Sequence, residues 1–202
     1  MEHFFSSPVR LIEKKDILKD VINKTDSYII QARERNKKEI ETTNDFGLVH
    51  HSETLRNDVS FHELKKFIVR SSQVFLNDQG FNLENHSFKL SEFWVQEFSL
   101  NGGGFHSTHV HSNSHVSGFY FLKASDKTSF PVFHDPRPGA LMTKLPQKDE
   151  KQITLASEKF NIKAFPGLIV LFNSYIPHEF EVDHAHEPFR FIHWNIKVVE
   201  NE

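Results

Sequence analysis

At Gly80 the hydrophobic rhythm of the chain changes, and that change limits the folds open to it. Before Gly80 apolar residues recur at helical spacing. After it they alternate in short runs rich in aromatic and β-branched residues. From Asp16 onward Ile17, Val21, Tyr28 and Ala32, with Leu18, Ile22 and Ile29 beside them, follow the i, i+3, i+4, i+7 rule. Lys19, Asp20, Asn23 and Lys24 fill the other face. The spacing predicts a helix that runs into the charged stretch 33–41, a solvated helix end. A second helix is expected after Ser60-Phe61-His62-Glu63, which has the form of a capping box. Its buried face would hold Phe61, Leu64, Ile68, Ser71 and Phe75, and Gly80 is placed to take a left-handed cap.

Beyond Gly80, Phe88 and Leu90, then Trp94, Gln96 and Phe98, alternate with polar or smaller residues. SGFYFLK, FPVFH, LIVLF, HEFEV and FRFIHWNIKV read as strands, separated by the turn clusters NGGG, DPRPG and FPG. About seven short strands with such turns indicate an antiparallel sandwich or barrel. The expected architecture is mainly β with N-terminal helices: one domain over 1–202, with a helical layer (1–80) on a jelly-roll β core (81–202). The 0 Cys remove disulfides, thiolate metal sites and thiol nucleophiles. A net charge of −3, from 24 basic and 27 acidic residues, gives no attraction to nucleic acid or to an anionic membrane. No apolar run approaches the roughly 20 residues of a membrane span. The N-terminus, MEHFFSSPVRLIEKK, does not read as a signal peptide, so a cytoplasmic location is expected.

The 14 His are the excess to explain, because imidazole is the commonest metal ligand. Nine of them lie between His106 and His193. In GGGFHSTHVHSNSHVS, His109 and His111 are two apart, and on a strand such residues share a face. Two imidazoles on one face can chelate an ion, although a polar loop with incidental His would look the same. In HEFEVD, His178 shares a face with Phe180 and Val182, while Glu179, Glu181 and Asp183 face outward. A buried His needs a partner, and the pair needs a third ligand. His106 and His115 flank the pair. His134, His184, His186 and His193 read as surface or local hydrogen-bonding residues. The Gly102–Gly104 run lacks the Lys-Ser/Thr of a phosphate loop and reads as a mobile lip over the site.

In the last strand, Arg190, Ile192, Trp194 and Ile196 share one face. If that apolar face is the barrel interior, Arg190 lies inside and must meet an anion. The anion is either a protein carboxylate or the carboxylate of a bound small molecule. A His-rich metal site beside an interior Arg suits an enzyme that binds a dicarboxylate next to its metal. Non-haem iron is then the natural ion, since three protein ligands leave positions open.

The segments HVHSNSHVSGFYFL, FHDPRPG, FPGLIVLFNSYIPHEFEV and EPFRFIHWNI, in that order, resemble the 2-oxoglutarate- and Fe(II)-dependent oxygenases. Within them the chain is similar to a family found in marine bacteria and their phages, distantly like prolyl 4-hydroxylases. GLVHHSETL and FWVQ extend the resemblance toward full length. It implies a double-stranded β-helix (a cupin-like jelly roll), with Fe(II) on His109, His111 and His178. It implies that Arg190, twelve residues after His178, holds the far carboxylate of 2-oxoglutarate, with Tyr120 and Gln96 near the cosubstrate. The family's usual HxD or HxE pair is HxH here, which leaves Asp135 as the alternative carboxylate ligand; as a turn former before Pro136 it has another explanation. The implied reaction hydroxylates a C–H bond of a small molecule or a peptidyl residue such as proline, using O2 and releasing succinate and CO2. Two other functions fit the same residues: a cupin-like metalloenzyme using a metal-bound water, and a non-catalytic β-barrel that binds a ligand through its aromatic surface.

Overall fold

The computed structural model describes residues 6–201, so His3 and the start of the N-terminal segment lie outside it. In chain order the elements are β1 (Val9–Glu13), α1 (Leu18–Arg35), α2 (Lys37–Thr43), β2 (Val49–His51), α3 (His62–Asn77), β3 (His86–Phe98), β4 (His106–His109), β5 (Val116–Lys123), β6 (Pro131–His134), α4 (Pro138–Met142), β7 (Lys159–Asn161), β8 (Leu168–Asn173), β9 (His178–Phe180) and β10 (Arg190–Glu200). Six strands form one antiparallel sheet in the order β1-β8-β5-β10-β3-β2. The other four form a second sheet, β4-β9-β6-β7, facing it. The two sheets with N-terminal helices make the double-stranded β-helix expected from the sequence.

The large sheet is buried on both faces, which explains its continuous apolar strands. One face meets the helices: Val21, Ile29, Leu64, Ile68 and Phe75 pack on Phe93, Tyr120, Ile192, Trp194 and Ile196. The other face meets the small sheet around eight phenylalanines: Phe98, Phe119, Phe121, Phe133, Phe172, Phe180, Phe189 and Phe191. Most of this interior is therefore solid aromatic packing, with the histidines at one end of it. Gly118 makes room within the large sheet for its cross-strand neighbour Trp194, since a Cβ there would stand 2.4 Å from Trp194 Cζ2.

Several local expectations are corrected. The first 80 residues are not only helical, because β1 and β2 add an edge strand to each side of the large sheet. The first helix breaks at Asn36, leaving α2 as a separate helix of about two turns. Ser60 does not cap α3. Asp58 accepts from the Ser60 N–H at 2.8 Å and caps a short 3₁₀ turn, Val59–Phe61, that leads into the helix. The buried face of α3 runs through Ser72, not Ser71. Gly80 takes φ +86°, the left-handed conformation its position called for. Along β3 the alternation changes phase at Ser91: Leu90 pairs with Ile196 but Glu92 pairs with Asn195. This β-bulge sends Phe88 and Leu90 to the helical layer, and Trp94, Gln96 and Phe98 to the barrel. Among the described residues no helix is long and apolar enough to cross a membrane.

Candidate metal centre

Strand pairing brings the histidines together. β4 ends at His109, β9 begins at His178, and their register sets the two opposite each other. His111 lies just past β4, where its N–H donates to the Ser174 carbonyl at 3.0 Å and turns the chain back over the barrel end. Ring centroids lie 4.4 Å apart for His109 and His178, and 5.1 Å from each of them to His111. One nitrogen from each ring falls within 4.8 Å of the others. The three rings named from the sequence are thus brought together by the fold.

Hydrogen bonds set the rings for their task. His109 Nδ1 lies 2.7 Å from the Ser107 carbonyl and His178 Nδ1 lies 3.1 Å from that of Ile176. A carbonyl only accepts, so each Nδ1 carries the proton and each Nε2 keeps its lone pair. His178 Nε2 is buried with no partner, which fits a nitrogen waiting for a metal ion. His111 is held differently. Its Nδ1 lies 3.2 Å from Asn195 Nδ2, a donor, and its Nε2 is buried without a partner. Burial, reinforced by the neighbouring imidazoles, lowers His111 to about 4 and His178 to about 3. At neutral pH both are uncharged, the form that binds metals.

The other sequence-named residues fare unevenly. Arg190 is buried, but on the helical face of the sheet. Its Nε donates to Glu97 Oε2 at 2.7 Å, and its Nη1 donates to Asp26 Oδ1 at 2.5 Å and to Thr25. The interior face of β10 is the other one, carrying Phe191, His193 and Asn195. The partner of Arg190 is therefore protein carboxylate, and the guanidinium ties α1 to the sheet. Tyr120 also faces the helical layer, donating to the Lys14 carbonyl at 2.6 Å. Gln96 does face the barrel, its Nε2 2.7 Å from His106 Nε2, with its Oε1 buried and unpartnered. His106 in turn lies 6.3 Å from His109, ring to ring. Asp135 is not gathered with the three histidines; its two oxygens accept from Arg137.

Three further corrections follow from burial and position. Asp183 is buried, not outward, where it accepts the Ser129 and Ala185 N–H groups. The Gly102–Gly104 run is no lip over the site. It lies at the opposite end of β4 from His109, tied by Gly103 N–H to the Asp183 carbonyl and by Asp183 N–H to that of Gly104. His193 is not a surface residue. It is 1 % exposed, stacked on His111 at 4.5 Å and against Trp94 at 4.6 Å. Glu92, on the neighbouring strand, accepts from Asn195 Nδ2 at 2.7 Å beside it. Sequence reading missed both because it took the more apolar face of β10, with Ile192, Trp194 and Ile196, for the barrel lining. The signal was the polar pair His193 and Asn195 on the other face.

The nitrogen set fits a divalent iron. The cosubstrate fits less completely. Among the described residues Arg190 is the one buried Lys or Arg, and it faces away from the barrel. Beside His111 a cavity of about 610 Å³, walled by Phe81, Leu83, Val110, Tyr175 and Val198, gives the centre a largely apolar approach.

Residues 92–190 match the model of a family described as "Putative 2OG-Fe(II) oxygenase". No curated protein matches the chain. Among solved structures, the epimerase SnoN of nogalamycin biosynthesis, in complex with Fe3+, alpha ketoglutarate and nogalamycin RO, superposes with a TM-score of 0.60 at 8% identity, covering 97% of this chain and 82% of that one. A prolyl hydroxylase from Trichoplax adhaerens, in complex with a hypoxia inducible factor peptide fragment, gives 0.54 at 12% identity, covering 93% and 82%. A Pseudomonas putida prolyl-4-hydroxylase gives 0.50 at 11% identity, covering 95% and 89%. At these identities the likenesses speak for the fold.

Proposed function

We propose that this chain, a member of the 2OG-Fe(II) oxygenase family, binds Fe(II) on His109, His111 and His178 and uses 2-oxoglutarate and O2 to hydroxylate a C–H bond. The observation that carries the reading is the convergence of three imidazoles at one end of a barrel, in a segment that matches the family model. When bound, the iron and cosubstrate would supply the oxidation, with succinate and CO2 as by-products. The protein's own residues hold and shield. Ser107 and Ile176 carbonyls fix the tautomers of His109 and His178, and Gln96 with His106 offers polar atoms beside them. The apolar cavity beside His111 would seat the prime substrate. A peptidyl residue such as proline is one candidate to test, because prolyl hydroxylases share the fold.

Anaerobic titration with Fe(II) and 2-oxoglutarate tests the reading. It expects the visible charge-transfer absorption of the chelate, then succinate on admission of O2. Neither band nor succinate would overturn it. A second reading has one observation in its favour: among the described residues no buried Lys or Arg faces the barrel to hold a far carboxylate. On that reading the metal activates a bound water, and turnover is metal-dependent but indifferent to 2-oxoglutarate.

A further inference from the structure

We infer that the barrel end holds a second divalent-cation position, on Glu92, His111 and His193, which shares His111 with the three-histidine set. The three ligand atoms again lie within 4.8 Å of one another. The set is two imidazoles and a carboxylate, the donor combination that suits non-haem Fe(II) and offsets part of the ion's charge. The three-histidine set offers no such compensation.

Two independent observations point to a ligand there. His193 is almost wholly buried, yet neither of its ring nitrogens has a hydrogen-bond partner. A buried polar group left this way is destabilising, and a cation would satisfy it. Glu92 Oε2 stands 3.8 Å from His193 Nε2, beyond a hydrogen bond but close enough for both to reach one ion. The second observation is the tautomer of His111. Asn195 Nδ2 is 2.7 Å from Glu92 Oε2 and 3.2 Å from His111 Nδ1, so the Nδ1 edge is turned toward Glu92. Because Asn195 donates to it, Nδ1 carries the lone pair. His111 therefore presents its basic nitrogen to the Glu92 side, whereas His109 and His178 present theirs to each other. An ion entering past half-exposed Glu92 would displace the Asn195 contact and take that lone pair.

This inference rests on the preceding section only through His111, so the two can fail separately. The probe is Co(II), titrated into metal-free full-length protein and followed by its visible absorption and by calorimetry. With His178→Ala the three-histidine set is broken, and one Co(II) per chain is still expected to bind. Adding Glu92→Gln or His193→Phe to that background should weaken binding by roughly tenfold or more. Phe keeps a ring between Trp94 and His111, and far-UV circular dichroism with a thermal melt checks that each variant folds. Loss of all Co(II) binding in folded His178→Ala would overturn the second position. So would binding there that ignores both added substitutions. In the otherwise native chain, Glu92→Gln with His193→Phe should leave one Co(II) on the three histidines. Failure of that arm alone would count against the three-histidine centre and leave the second position standing.

Discussion

Replacing Arg190 with Met separates a structural cation from a cosubstrate anchor. The guanidinium and its partner Glu97 are both about 5 % exposed at the side chain, whereas Asp26 is half exposed. Removing one member of a buried pair costs about 3–5 kcal/mol, while an exposed partner adds little. Glu97 keeps a second contact, Arg33 Nη2 at 3.2 Å, so the low end applies. A loss of about 3 kcal/mol follows, which for a chain of this size lowers Tm by about 6–12 °C. Urea denaturation of the metal-free protein measures it. Adding Glu97→Gln should recover part of the loss, because the stranded carboxylate is what makes the single change costly. Co(II) affinity should stay unchanged throughout. Unchanged stability combined with loss of 2-oxoglutarate binding would refute the reasoning and return Arg190 to the barrel.

Tyr120→Phe should cost about 1 kcal/mol through the lost bond to the Lys14 carbonyl, and leave the metal centre alone; the same denaturation series and a Co(II) titration check both. Gly118→Ala should destabilise by about 3 kcal/mol or more, because its new methyl meets Trp194 and the Val170 carbonyl at 2.4 and 2.6 Å; a thermal melt reads it. The metal-free protein should lose stability on acidification below about pH 6.5. Burial lowers His111 to about 4 and His178 to about 3 in the folded state, so the unfolded chain binds more protons in that window. Each such group adds a slope of at most about 1.4 kcal/mol per pH unit, flat above pH 6.5 and exhausted below the folded values, and urea midpoints from pH 7.5 to 4 would show it.

The fold class and the grouping of His109, His111 and His178 were legible because each had a local signal: alternation, an i, i+2 pair, and a His among apolar residues. The facing of Arg190 was not. A strand in the middle of a three-layer structure is apolar on both sides, so alternation shows that there are two faces without showing which one lines the barrel. The same ambiguity hid His193 and misplaced Tyr120. The β1 and β2 edges were invisible for another reason, since five and three residues are too few to establish a period against a helical background. Asp58 displaced Ser60 as cap because both are competent acceptors two residues apart.

The extra residue at Ser91 means that parity along this chain is not a conserved quantity. Counting by twos from Phe88 reaches Trp94, yet the two side chains lie on opposite sides of one sheet. A single deletion at Ser91 would remove the bulge and leave every facing as it is, because Glu92 would then follow Leu90 directly, as Asn195 precedes Ile196 on the paired strand, and Trp94, Gln96 and Phe98 would stay on the barrel side. Any transfer of residue roles onto this strand therefore depends on where its one-residue gap is drawn. Drawn a few positions away, the metal-centre wall is exchanged for the hydrophobic one without a single mismatch in residue type to betray the error.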